Sequence, residues 1–138
     1  MTSSDSHEPH ATKPSDLNGL CVLIVEDSWP VGTGLQMLLE SWGAQVMGPA
    51  ATSAEAERLT AERTPDVALV DINLRHGELS HGLIDRLHDQ GVRVVAITGY
   101  AEALLLPGKA DAILQKPMRE DLLLASLRPG NVQRDRTK

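Results

Sequence analysis

Short apolar segments alternate with segments of helical periodicity along most of this sequence. Two of them, Leu20–Val25 and Val67–Val70, contain no polar residue. A strand with one face in water alternates polar and apolar residues, whereas a run that is apolar throughout is typical of a strand buried on both faces. Further strands are predicted over Ala44–Met47, Val92–Ile97 and Ala110–Leu114. The pattern therefore favours a sheet that is covered on both sides.

Helical segments lie between the predicted strands and after the last of them. In the first, Leu35, Leu38 and Leu39 recur at helical spacing, Ser28 can cap its start, and Gly43 ends it. Strands that alternate with helices form a parallel sheet with right-handed crossovers and helices on both faces. We therefore predict an α/β fold: a doubly wound, five-stranded parallel sheet in a three-layer sandwich, with the flavodoxin-like strand order.

The length of 138 residues fits one domain and leaves little room for a second. Aromatic residues make up only 2% and Phe is absent, so the core must be built from aliphatic side chains and Met. Residues 1–18 are polar and lack periodicity, which predicts a disordered N-terminal tail. The globular domain is then expected over residues 19–128, with a polar and charged tail at residues 129–138.

Charge and hydropathy exclude two classes of partner. The formal net charge is −6, and no run of Lys or Arg forms the basic stripe that nucleic-acid binding requires. No apolar stretch approaches the ~20 residues that cross a bilayer, and the N-terminus lacks the apolar core of a signal peptide. We therefore expect a cytoplasmic protein that binds neither nucleic acid nor a membrane.

Polar residues follow the carboxyl ends of four predicted strands. Glu26 and Asp27 follow the first strand, Asp71 follows the third, and Thr98 and Lys116 follow the fourth and fifth. In doubly wound sheets, ligands bind beyond the carboxyl ends of the strands. These side chains should therefore meet in one pocket that holds three carboxylates, one hydroxyl and one ammonium group.

Three carboxylates in one pocket need a cation, because each would otherwise raise the pKa of the others. Mg²⁺ takes one or two carboxylates together with phosphate oxygens and water. Lys116 supplies a further positive charge suited to a phosphoryl oxygen, and a carboxylate can itself act as the nucleophile and form an aspartyl phosphate. The set of residues therefore predicts phosphoryl transfer that depends on Mg²⁺.

Four motifs at these strand ends resemble the signature of response-regulator receiver domains. They are Val25-Glu26-Asp27-Ser28, Leu69-Val70-Asp71-Ile72-Asn73-Leu74, Ile97-Thr98-Gly99 and Gln115-Lys116-Pro117. Each motif alone is weak evidence, but four in this order, each at a strand end, are strong evidence. The resemblance covers about residues 20–128 and implies the CheY-like version of the fold predicted above.

The resemblance implies a role for each residue of the pocket. Asp71 resembles the phosphoacceptor, Thr98 the hydroxyl that moves towards the phosphoryl group, and Lys116 the residue that pairs with it. The Lys116–Pro117 bond is cis in the family. The resemblance also implies four protein ligands for Mg²⁺. They are the carboxylates of Glu26, Asp27 and Asp71 and the backbone carbonyl of Asn73.

The segment after the fourth strand departs from the common receiver pattern. It is several residues shorter than in most receivers, and Pro107 and Gly108 end any helix there after one or two turns. We therefore expect a short or mobile fourth helix. Ile113 stands where most receivers have the aromatic residue of their switch. The sequence Thr98-Gly99-Tyr100 after the fourth strand resembles FAT GUY receivers, which are often single-domain proteins paired with HWE-type histidine kinases. Our hypothesis is that order and disorder of residues 99–108 carry the signal.

These features predict a stand-alone response regulator of a two-component phosphorelay. It would not be an enzyme in the ordinary sense, although it would catalyse its own phosphorylation and dephosphorylation. The expected partners are a histidine kinase or histidine phosphotransfer protein and a downstream protein target, and the expected state is a monomer or weak dimer. Since the tail after Arg128 is too short for an output domain, we expect signalling by protein–protein interaction.

Several alternatives fit less well. A degenerate receiver would bind partners as a scaffold without phosphorylation, but the pocket residues are all present. A Toprim-like nuclease domain would need a carboxylate two residues after Asp71, where Asn73 stands. A haloacid-dehalogenase-like phosphatase would need Asp-x-Asp after the first strand, where the sequence is Glu26-Asp27-Ser28. A flavodoxin would need a phosphate-binding first loop rich in Ser, Thr and Gly.

Overall fold

The computed structural model describes residues 16–72, 81–99 and 110–128. Five strands form one sheet: β1 (Cys21–Val25), β2 (Gln45–Ala50), β3 (Val67–Asp71), β4 (Arg93–Thr98) and β5 (Ala112–Gln115). The described helices are α1 (Trp29–Ser41), α2 (Ser53–Glu62), α3 (His81–Asp89) and α4 (Glu120–Leu127). Apart from the end of β2, the bounds of the strands agree with the predicted ones to within two residues. The short helix predicted between the fourth and fifth strands falls on residues that lie outside the described ranges.

The strand order in the sheet is β2-β1-β3-β4-β5, and every neighbouring pair is parallel. This is the flavodoxin-like order that the alternation of strands and helices predicted. The central strands β1, β3 and β4 are buried along almost their whole length, which is why their sequences are apolar on both faces. The predicted fold class is confirmed.

Two apolar cores lie on opposite faces of the sheet. One packs α1 and α4 against the sheet through Leu39 and Leu123, and Trp42 closes it at the end of α1. The other packs α2 and α3 through Ala56 and Ile84. Full burial of a Leu or Ile side chain contributes about 1.5–3 kcal/mol, so these cores hold the helices on the sheet and keep the strand ends in place.

β2 is longer than the sequence pattern predicted, because it continues past Met47 to Ala50. Its pairing with β1 shifts after the Leu23–Met47 pair, so that β2 carries one extra residue there. Gly48 lies at φ +94°, where a Cβ atom would come within 2.7 Å of the Ile24 carbonyl oxygen. Gly-Pro ordinarily interrupts a strand, but here it forms a bulge in an edge strand. The predicted end at Met47 was therefore wrong.

The packed part of the chain includes one residue of the predicted N-terminal tail. Leu17 is fully buried, and its backbone N–H donates to the carbonyl oxygen of Trp42. The adjacent Asp16 forms an ion pair with Arg128, which directly follows α4. A single Leu among polar residues produces no periodic pattern, so the sequence alone placed it in the tail. None of the helices described is long and apolar enough to span a membrane.

Candidate functional site

A pocket of about 400 Å³ lies at the carboxyl ends of β1, β3 and β5. The strands bring together side chains that are distant in sequence, because parallel strands end at the same edge of the sheet. Glu26, Asp27, Asp71 and Lys116 all line this pocket, as the sequence predicted. Apolar residues missed by the sequence analysis, among them Met118, also line it; nothing in their local pattern distinguishes them from core residues.

The three predicted carboxylates form one cluster. A carboxylate oxygen from each of Glu26, Asp27 and Asp71 lies within 4.8 Å of the other two. Asp71 and Glu26 are only 2% and 5% exposed, and Asp27 is half-buried. Charges at this separation in a partly buried site interact strongly, since water screens them poorly.

Lys116 contacts Asp71 directly. Its Nζ donates a hydrogen bond to Oδ2 of Asp71 at 3.1 Å, and the lysine side chain is 46% exposed while the aspartate side chain is 3% exposed. The backbone N–H of Lys116 donates to the carbonyl oxygen of Thr98, and the Lys116–Pro117 peptide bond is cis, as the family resemblance implied. The lysine therefore reaches from the rim to the buried carboxylate at the base of the pocket.

Glu26 is held at both its backbone and its side chain. Its backbone N–H donates to the carbonyl oxygen of Ala50 at 2.8 Å, and its Oε2 accepts from the backbone N–H of Ser28 at 3.1 Å. Ser28 is also the N-cap of α1, so the start of this helix supports the carboxylate. The cap was predictable from the sequence, but this second role of Ser28 was not.

The charge of Glu26 is poorly compensated by the residues that the structure describes. Its buried Oε1 has no hydrogen-bond partner among the described residues. Burial is the main cause that raises the pKa of Glu26 to about 7, and the Ser28 N–H lowers this pKa. Asp71 raises it through its negative charge and through a hydrogen bond that it forms with the protonated Glu26 side chain, and the charge of Lys116 lowers it. Both observations identify a carboxylate that needs a further positive charge close by.

The residues of this cluster fit Mg²⁺. Each residue of the cluster offers a carboxylate oxygen as its ligand atom, and hard divalent cations prefer oxygen ligands of this type. The buried and unpartnered Oε1 of Glu26 is an oxygen that such an ion would satisfy. Asn73, whose carbonyl the family resemblance implies as a further ligand, lies outside the described residues. The Mg²⁺ ligands within the described residues would therefore be Glu26, Asp27 and Asp71.

Thr98 lies at the end of β4 and is fully buried. Its Oγ1 donates to the carbonyl oxygen of Gly99 at 2.9 Å, and its side chain is not part of the described pocket lining. A move of this hydroxyl towards a phosphoryl group on Asp71 would require this local hydrogen bond to break. Tyr100 and nearly all of the proposed signalling segment lie outside the described ranges, so the hypothesis about residues 99–108 stays a prediction.

The strand order and the acidic pocket together define an α/β protein of the receiver class. Residues 22–128 match the family model of the response regulator receiver domain, and the chain belongs to that family. The predicted family is therefore confirmed, whereas the FAT GUY subclass stays a prediction.

Several of the proteins similar to this chain are PhyR regulators. The chain is 31% identical over 113 residues to the phyllosphere-induced regulator PhyR of Methylorubrum extorquens, covering 80% of this chain but only 40% of that protein. The solution structure of the PhyR receiver domain from Erythrobacter litoralis has 29% identity and a TM-score of 0.69, covering 80% of this chain and 88% of that one. The PhyR structure from Brucella abortus has 27% identity and a TM-score of 0.69, covering 92% and 52% respectively.

Proposed function

We propose that this receiver accepts a phosphoryl group on Asp71 in a reaction that requires Mg²⁺. The observation that carries the proposal is the cluster itself: carboxylate oxygens of Glu26, Asp27 and Asp71 lie within 4.8 Å of one another, with Lys116 Nζ 3.1 Å from Asp71. Three carboxylates and one ammonium group leave two negative charges uncompensated when all are ionised. A divalent cation balances that charge, and the site then suits an anionic phosphoryl group.

In the proposed reaction a carboxylate oxygen of Asp71 attacks the phosphorus atom of a phosphohistidine. The new P–O bond forms as the P–N bond to the donor imidazole breaks, and the imidazole leaves with its electron pair. Glu26 and Asp27 would hold Mg²⁺ together with Asp71, and the ion would neutralise charge on the phosphoryl oxygens. Lys116, which already donates a hydrogen bond to Asp71, supplies a second positive charge for the transferred group.

The proposed output is protein–protein interaction rather than catalysis on another substrate. The phosphodonor would be a histidine kinase or a histidine phosphotransfer protein, and the phosphorylated form would bind a downstream protein in the cytoplasm. A relative from Bartonella quintana, 26% identical with a TM-score of 0.69, is an anti-anti-sigma factor, PhyR. This supports a regulatory protein as the downstream target of the present chain.

The proposal is tested by the kind of bond that forms. Incubation with acetyl phosphate and MgCl₂ should attach one phosphoryl group that hydroxylamine removes, because acyl phosphates react with hydroxylamine and phosphoserine does not. The same incubation in EDTA should attach none. A phosphoryl group that resists hydroxylamine, or one that attaches equally well in EDTA, would contradict the proposed reaction.

A further inference from the structure

We propose that Gly32 of α1 and Pro49 of the β2 bulge are positioning residues for the Glu26 carboxylate, and so for metal binding. The inference rests on the proposed function, because it assigns these two residues to the Mg²⁺ site argued above. Neither residue offers a ligand atom. Both would act by holding Glu26 in its place.

The first observation is the close approach of α1 to β2 at Gly32. A Cβ atom built on Gly32 would lie 2.9 Å from both Cβ and Cγ of Pro49, closer than carbon atoms in contact can come. Only glycine therefore permits this helix–strand distance. For Gly34, two residues further along α1, no atom of the described residues beyond the local helix backbone lies within 4 Å of an equivalent Cβ position. The contact is thus specific to Gly32.

The second observation is how the bulge presents Pro49. Gly48 at φ +94° turns the chain, and a Cβ atom there would come within 2.7 Å of both Ile24 O and Ala50 N. The extra residue in β2 that results from this turn places the proline ring against Gly32. The ring is rigid, so a side chain at position 32 cannot be accommodated by a change of rotamer.

The third observation connects this contact to Glu26. The residue after Pro49 is Ala50, whose carbonyl oxygen accepts the Glu26 backbone N–H at 2.8 Å. The Cβ position of Gly32 also lies 3.7 Å from Cγ of Glu26, which is ordinary contact distance. A methyl group at position 32 would therefore displace Pro49, and with it the backbone partner of Glu26, while it also contacts the glutamate side chain.

The test compares two glycine-to-alanine variants in the same helix by calorimetric titration of the metal-free protein with MgCl₂. Both changes raise intrinsic helix propensity equally, so they differ in the contacts with Pro49 and Glu26 that only the methyl group at position 32 makes. We expect Gly32→Ala to weaken Mg²⁺ binding about 10- to 100-fold, the usual effect of disturbing residues that orient a metal ligand. Gly34→Ala should bind Mg²⁺ within about twofold of the wild type, because its methyl group points into open space.

A second substitution separates positioning from general damage. Pro49→Gly removes the ring, so alone it should also weaken Mg²⁺ binding. Combined with Gly32→Ala it lets the new methyl group occupy part of the vacated space, and the double variant should recover most of the affinity. If Gly32→Ala does not fold, the Mg²⁺ affinity of Pro49→Gly alone tests the positioning role.

Two results would overturn the inference. One is wild-type affinity in Gly32→Ala or, where that variant does not fold, in Pro49→Gly. The other is additive weakening in the double variant, since independent damage at two sites adds. If the wild type itself binds no Mg²⁺, the proposed function fails and this inference fails with it. That outcome is distinct from failure of the positioning role alone.

Discussion

Glu26 and Asp71 are both buried carboxylates in the same pocket, but their surroundings differ. Asp71 accepts a hydrogen bond from Lys116 Nζ, whereas Oε1 of Glu26 has no hydrogen-bond partner among the described residues. A buried ionised oxygen without a partner costs free energy, and the raised pKa of Glu26 reflects that cost. At the scale of single residues, the metal-free site therefore contains one buried carboxylate, Glu26, whose negative charge is poorly compensated. Bound Mg²⁺ would compensate that charge.

The raised pKa of Glu26 predicts how the stability of the metal-free protein depends on pH. This pKa is 4.5 for an ordinary Glu and about 7 in the folded protein, so between these values the folded state binds more protons than the unfolded state. The free energy of unfolding should therefore fall as pH rises from about 4.5 to about 7. The loss attributable to Glu26 should be about 1–3 kcal/mol.

Urea unfolding in EDTA at pH 5 and pH 8 measures this dependence. Glu26→Gln has no carboxylate to titrate, so it should be more stable than the wild type at pH 8 and should lose that part of the pH dependence. Glu40→Gln changes an exposed glutamate of α1 and serves as the matched control. Identical pH dependence in the wild type and Glu26→Gln would contradict the account of Glu26.

Lys116 is predicted to matter for the reaction through its charge. Lys116→Met keeps an unbranched side chain but removes the ammonium group that contacts Asp71. Phosphorylation by acetyl phosphate should slow by about 10²-fold, because one preorganised positive charge is lost from the site. Arg119→Met is the control, since this exposed arginine pairs with Asp121 and should leave the rate unchanged. Equal rates for Lys116→Met and the wild type would show that the lysine has no part in transfer.

At the scale of elements, α4 depends on a side chain from β4. The last carbonyl groups of a helix have no partner within the helix. Arg93 supplies two hydrogen bonds there, from Nη1 to Ser126 O at 3.3 Å and from Nη2 to Leu127 O at 2.8 Å. At its other end, α4 has no side-chain N-cap bond. Arg93 therefore ties the C-terminus of this short helix to the start of β4.

Arg93→Ala should destabilise the fold more than the loss of an ordinary surface arginine. The two lost hydrogen bonds run from a charged donor to partly buried carbonyl groups. We therefore expect the free energy of unfolding to fall by about 1–3 kcal/mol. Arg63→Ala removes an exposed bond to Gln45 and should cost about 0.5 kcal/mol or less. Urea denaturation of the two variants makes the comparison, and equal losses would refute this role of Arg93.

At the scale of the whole molecule, the topology was predictable because its determinants are local and repeated. Apolar runs such as Leu20–Val25 marked the central strands, and the polar residues that follow them marked the pocket. The predicted strand order placed Lys116 and Asp71 in one pocket, although 45 residues separate them in sequence. The fold and four of the five predicted pocket residues could therefore be predicted from the sequence, whereas the buried Thr98 is not part of the described pocket lining.

Other features depend on contacts that a linear pattern does not contain. The extension of β2 depends on the bulge at Gly48, after which Ala50 still pairs with Val25, and no local rule for Gly-Pro predicts it. The hydrogen bond from Thr98 to Gly99 reflects one rotamer of a buried side chain. Whether Glu26 Oε1 finds a hydrogen-bond partner depends on every atom around it, and within the described ranges it finds none. Each of these required three-dimensional packing to be known.

The most direct test of the central claim, that Asp71 is the phosphoacceptor, is intact mass after incubation with acetyl phosphate and MgCl₂. The wild type should gain one phosphoryl group and Asp71→Asn should gain none. Asp66→Asn is the matched control, because Asp66 is a structural aspartate whose Oδ2 accepts the backbone N–H of Cys21 at the opposite end of β1, so this variant should still be phosphorylated. Phosphorylation that persists in Asp71→Asn, or none in the wild type although Mg²⁺ binds, would contradict the account.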